Sequence, residues 1–108
     1  MSPITTHVLD TAKGCPAAEI AVTLEFSNSN RWQTIANGST DADGRIMDWM
    51  ENGMQAGEYR ITFDTNSYHK GKGFFPKVTI NFTIDNPKQH YHVPLLLSPF
   101  SFSTYRGS

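Results

Sequence analysis

The stretch VTINFTIDNPKQHYHVPLLL, residues 78–97, contains two patterns from which the architecture of the chain follows. Val78, Ile80, Phe82 and Ile84 alternate with polar residues, the period-two signature of a strand with one buried face. DNPK at 85–88 interrupts that pattern with turn-forming residues, and a second alternating run follows. In this run Tyr91, Val93, Leu95 and Leu97 are all apolar and belong to the core. His90, His92, Pro94 and Leu96 therefore point outward, because successive strand side chains face opposite ways.

The same period recurs upstream, at Ile20, Val22, Leu24 and Phe26 and at Tyr59, Ile61 and Phe63. The turn clusters NSN (28–30), DADG (41–44) and ENG (51–53) separate the runs. Further strands are predicted in THVLD (6–10), RWQTIANGS (31–39), RIMDWM (45–50) and SFSTYR (101–106). The total of about seven or eight is near the norm for a β-sandwich. One short helix is predicted in DTNSYHKGK (64–72), with Asp64 as N-cap and an end near Gly71 or Gly73. At the end of the chain Phe100 and Phe102 are expected on the core side, which turns Ser101, Ser103 and Tyr105 outward.

Composition narrows the class. A chain of 108 residues fits a single domain, 1–108, with no internal repeat. The single cysteine, Cys15, rules out an internal disulfide, so a hydrophobic core must hold the fold and a reducing, cytoplasmic setting is expected. A net charge of −1 with both signs scattered offers no footprint for nucleic acid. No apolar run approaches the roughly 18 residues of a membrane span, and MSPITTHVLD lacks the form of an export signal. Met1 reads as the start of the chain, and the expected partner is a small molecule or another protein.

Several side chains could carry chemistry. His90 and His92 in H-x-H spacing could be solvated surface groups, two metal ligands lacking a third, or an acid/base pair suited to proton transfer at neutral pH. His7 points outward if Val8 points in, and matters only if its strand lies beside His92. Arg45 follows the DADG turn and could be a solvated charge. Asp41, Asp43 and Gly44 lack the remaining spacing of a calcium loop. Cys15 has no nearby helix start or histidine in sequence to depress its pKa, and no G-x-S-x-G elbow is present. Any hydrolysis should therefore use activated water without a covalent intermediate.

TTHVLD (5–10), KGCPA (13–17), DADGR (41–45), FFP (74–76), HYHVPLLLSP (90–99) and STYRGS (103–108) together resemble the 5-hydroxyisourate hydrolases, the transthyretin-related enzymes of purine breakdown. The terminal YRGS is the most specific element, since it separates these hydrolases from transthyretin. Lys77, where an acidic residue is common, and PFSFSTY, in place of P-x-x-Y-S-T-Y, depart from the family pattern. The resemblance implies an all-β, transthyretin-like (prealbumin-like) sandwich of two four-stranded sheets with one short helix. It further implies a homotetramer, built as a dimer of dimers around a channel, with no metal or cofactor.

The implied reaction is hydrolysis of 5-hydroxyisourate to 2-oxo-4-hydroxy-4-carboxy-5-ureidoimidazoline. The family motif carries catalytic roles onto His7, Arg45, His92 and Ser108, and substrate contacts onto His7, Arg45 and Tyr105. His92 is the preferred base and His7 the group that holds or protonates the ring. The alternative is a transthyretin-like carrier that binds an aromatic ligand in the channel without chemistry.

Overall fold

The computed structural model describes residues 1–51 and 53–107. In chain order its strands are β1 (Ile4–Asp10), β2 (Cys15–Pro16), β3 (Ala21–Asn28), β4 (Arg31–Ser39), β5 (Arg45–Ile46) and β6 (Gly57–Phe63), followed after helix α1 (Thr65–Tyr68) by β7 (Val78–Ile84), β8 (Tyr91–Leu97) and β9 (Phe102–Thr104). One sheet runs β4-β3-β6-β7, antiparallel throughout. The other runs β2-β1-β8-β9, with β5 also paired to β1.

The expected two-sheet sandwich is present, with one refinement. Two short strands share the outer edge of β1: β2 pairs with Leu9 and Asp10, and β5 with Thr6 and His7. The predicted strand RIMDWM contributes only its first two residues to the sheet. Beyond them the N-terminus holds the segment in place of a ladder. The Ser2 hydroxyl accepts the N–H groups of Trp49 (2.9 Å) and Met50 (3.1 Å), and the Trp49 indole N–H donates to the Ile4 carbonyl (2.8 Å).

The core lies between the sheets. Ile4, Val8, Leu24, Tyr59, Ile61, Phe63, Leu95 and Leu97 are buried there almost completely, as the alternation predicts. Each such side chain contributes roughly 1.5–3 kcal/mol by leaving water. Ile80 and Phe82 are only half-buried, on β7 at an edge of its sheet.

The C-terminal hairpin corrects one expectation. Phe100 is 74% exposed and Phe102 38% exposed, so neither enters the core. Phe102 does pair with the inward Leu97, but β9 lies at the sheet edge, where its ring meets Phe75 in a T-shaped contact, 5.1 Å between centroids. Phe100 sits on the tight turn closed by Ser98 and Ser101 and has left the strand altogether.

The helix forms where its cap predicts. Asp64 accepts the Ser67 N–H (3.2 Å) and hydroxyl (2.8 Å), and α1 begins at Thr65. It is fastened to β1 by the Tyr68 hydroxyl, which donates to buried Asp10 at 2.6 Å.

Candidate active site

β1 and β8 lie side by side and parallel, in the register Ile4↔Tyr91 through Asp10↔Leu97. That register sets Thr5 beside His92 and His7 beside Pro94. On the other edge of β1, His7 pairs with Arg45. Paired residues share a face, so His7, Arg45 and His92 all stand on the outer face of this sheet. An isolated bridge between His92 and Gly107 brings the end of the described chain to the same place.

A tight turn delivers Arg45. The Asp41 carboxylate accepts the N–H groups of Asp43 and Arg45, both at 2.9 Å. Gly44 closes the turn at φ +74°, and a Cβ there would collide with the Val8 carbonyl oxygen. Only glycine allows the D-G-R turn to press so closely on β1. The side chain of Arg45 is exposed, and no carboxylate among the described residues forms an ion pair with it.

His92 is half-buried and held at both ends. Its Nδ1 lies 2.7 Å from the Thr5 hydroxyl, and its backbone carbonyl accepts the Gly107 N–H at 2.8 Å. Its pKa is lowered, first by burial and then by the neighbouring His90, His7 and Arg45, all of which disfavour a further positive charge. These surroundings favour the neutral ring, the state a base requires. A Cβ on Gly107 would come within 2.6 Å of the His92 Cδ2, so the glycine of YRGS is needed to let the chain pass the ring.

Tyr105 is 58% exposed. Together with Ile80, Phe82, Tyr91, His92 and Arg106 it lines a cavity of about 300 Å³ on the open flank between β7 and β9. The Arg106 guanidinium lies over the Tyr91 ring at 4.4 Å and donates to the Gln89 side chain at 3.1 Å, which ties down the terminal segment. Ser108 lies outside the described residues. His90 stacks on His92, 6.3 Å between ring centroids, and its Nε2 turns to the Thr5 hydroxyl at 2.9 Å. Among the described residues no three His, Cys, Asp or Glu side chains converge as a metal site would require.

Thr5 escaped the sequence reading. Its parity with His7 places it on the functional face, but a threonine on a strand carries no signal of its own. Only the pairing with β8 reveals it as the partner of two histidines.

A two-sheet sandwich that displays two histidines and an arginine across one sheet face is a scaffold for handling a small polar molecule. The chain belongs to the HIUase/Transthyretin family, whose model matches residues 4–107. It is 43% identical over 109 residues to the 5-hydroxyisourate hydrolase of Salmonella dublin, covering 97% of this chain and 80% of that one. The structure of Klebsiella pneumoniae 5-hydroxyisourate hydrolase is similar with a TM-score of 0.85 and 34% identity, over 97% of this chain and 98% of that one. Transthyretin from Sparus aurata is similar with a TM-score of 0.90 and 34% identity, over 99% and 97%. Backbone shape alone does not separate the hydrolase from transthyretin; the side chains on the face must.

Proposed function

We propose that this chain is a 5-hydroxyisourate hydrolase, opening the six-membered ring of 5-hydroxyisourate to give 2-oxo-4-hydroxy-4-carboxy-5-ureidoimidazoline. One observation carries the reading: His7, Arg45 and His92 stand on one sheet face at adjacent or next-but-one register positions of β5, β1 and β8. Binding an aromatic ligand requires no such set of groups. The hydrolase relative at 43% identity supports the same conclusion.

In the proposed mechanism neutral His92 accepts a proton from water as the oxygen adds to the ring's imide carbonyl. Arg45 directs its planar fork at the oxygens, where negative charge builds in the tetrahedral intermediate. The C–N bond then breaks, the departing ring nitrogen takes a proton, and the acyl group, still tethered to the opened molecule, becomes a carboxylic acid that gives its remaining proton to solvent. His7 holds or protonates the ring, Tyr105 packs on it or hydrogen-bonds to it, and Ser108 places the water. General acid–base assistance of this kind contributes about 10²–10⁴ in rate, and the role is met without a metal or cofactor.

A homotetramer, assembled as a dimer of dimers with this face lining a channel, is part of the proposal. Leu9 and Leu96, partly exposed on the same face as His7, are the kind of apolar surface a second subunit covers. So is a cytoplasmic location. No helix among the described residues is long and apolar enough to cross a membrane.

The test is the loss of 5-hydroxyisourate absorbance in the ultraviolet, with substrate freshly generated from urate. Acceleration over the spontaneous decay, in proportion to protein, is expected. Binding of the substrate without acceleration would instead identify a carrier.

A further inference from the structure

The Thr5 hydroxyl is completely buried and is shared by two imidazoles, His92 Nδ1 at 2.7 Å and His90 Nε2 at 2.9 Å. A hydroxyl has one proton to give and lone pairs to receive. If both facing nitrogens were lone pairs, one would be held against the oxygen with no hydrogen between. If both were N–H, the hydroxyl's own proton would be buried without an acceptor, at the cost of an unsatisfied polar group. The satisfied arrangements have one facing nitrogen protonated and the other bare. There are two of them.

In the first, His92 Nδ1–H donates to Thr5 and Thr5 donates to His90 Nε2, which leaves a lone pair on His92 Nε2. In the second, His90 Nε2–H donates to Thr5 and Thr5 donates to His92 Nδ1, which leaves a proton on His92 Nε2. We propose that Thr5 and His90 are positioning residues that form a proton relay with His92 and let that one ring serve first as base and then as acid. The relay rests on the hydrolase reading and deepens it.

The proton inventory balances. In the first arrangement His92 Nε2 takes a proton from water as the hydroxide oxygen bonds to the substrate carbonyl. The Nδ1 proton passes to Thr5, and the Thr5 proton passes to His90 Nε2. His92 is again neutral, now with Nε2–H, and the positive charge rests on His90. When the C–N bond breaks, His92 Nε2 gives its proton to the departing ring nitrogen. The two relay protons return from His90 through Thr5, restoring the starting state. Burial and the neighbouring His90, His7 and Arg45 all disfavour a cation held on His92; His7 stands on β1, Arg45 on β5, and His90 at the entrance to β8, preceding Tyr91. From the terminal segment Tyr105 and Arg106 line the adjoining cavity.

The experiment uses Thr5→Val, which keeps the shape and removes the hydroxyl, Thr5→Ser, which keeps the hydroxyl, and His90→Phe. In steady-state assays with 5-hydroxyisourate, Thr5→Val and His90→Phe should each lower kcat by about 10- to 100-fold with little change in KM, and the double variant should be no worse than the poorer single, as for groups acting as a unit. Thr5→Ser should restore kcat to within about threefold of the parent, because the relay needs only the hydroxyl. Histidine ¹⁵N spectra of the unliganded protein supply a readout independent of turnover: His92 and His90 should titrate as a coupled pair, and Thr5→Val should uncouple them. An unchanged kcat in Thr5→Val, a loss that Thr5→Ser does not repair, or independent multiplication of the two single losses would overturn the relay. A parent protein without activity but with the coupled titration would instead count against the hydrolase reading while leaving the hydrogen-bonded unit standing.

Discussion

Gly107 lies against the His92 ring, with its N–H on the His92 carbonyl at 2.8 Å and no room for a Cβ beside Cδ2. The backbone of the penultimate residue thus packs against the proposed base.

Gly107→Ala should displace either the ring or the terminal segment. Because catalytic geometry tolerates little misplacement, kcat/KM should fall by about 10- to 100-fold, while the melting temperature stays within a few degrees of the parent, since the segment adds little to the core. Assay and thermal denaturation on the same preparation check both; a fully active Gly107→Ala would show that this contact does not orient the ring.

His92→Ala and Arg45→Ala should each lose about 10²–10⁴ in kcat/KM while the chain remains folded by circular dichroism. Arg45→Lys should recover little of the loss, since an ammonium does not reproduce the two parallel donors of a guanidinium. Near-parental activity in Arg45→Lys would reduce the role of Arg45 to that of a point charge.

The lowered pKa of His92 makes a signed prediction. Its cationic form is disfavoured in the folded protein, so the unfolded chain binds more protons between the lowered native value and the ordinary value near 6.5. The corresponding stability is present above pH 6.5 and is lost as pH falls through the native value. The acid limb of kcat/KM should likewise have its midpoint below pH 6.5, and Arg45→Gln, which removes one of the positive neighbours, should move that midpoint upward. A pH–rate profile together with urea unfolding at several pH values measures both; an acid limb above pH 6.5 contradicts the assignment.

Asp10 belongs to stability. Burial pushes its carboxyl up, but hydrogen bonds from the Tyr68 hydroxyl and from the Lys13 and Ala12 N–H groups outweigh burial and hold it below its ordinary value. Tyr68→Phe should cost about 1.5–3 kcal/mol in urea unfolding, the range for a hydrogen bond to a charged group, with kcat/KM unchanged. A loss of turnover without a loss of stability would place Tyr68 in the site.

Gly44→Ala tests how the D-G-R turn is built. At φ +74° and against the Val8 carbonyl, an alanine should cost about 1–3 kcal/mol of backbone strain and misplace Arg45, so stability and kcat/KM should fall together. Unchanged activity in a destabilised Gly44→Ala would show that Arg45 reaches its place independently of the turn.

Much of the architecture was legible because strand parity is a local property. Val93, Leu95 and Leu97 enter the core as their alternation requires, and Asp64 caps the helix. Parity failed at Phe100 and Phe102 because it describes direction and not coverage: Phe102 points with Leu97 but stands on an edge strand, where no second layer reaches it. RIMDWM looked like a strand because its composition suits one, yet Ser2 takes the N–H groups of Trp49 and Met50 away from any ladder.

By itself, the sequence determined which side chains share a strand face, where the chain must turn, and the residue types carried by the family motifs, since all of these depend on neighbours a few positions apart. Only the tertiary structure decided that β1 runs parallel to β8, that Arg45 stands opposite His7, and that one buried threonine hydroxyl serves both His90 and His92. Those relationships join residues as many as 87 positions apart. They follow from burying two apolar sheet faces against each other in a single register, a constraint of the whole chain that no local pattern expresses.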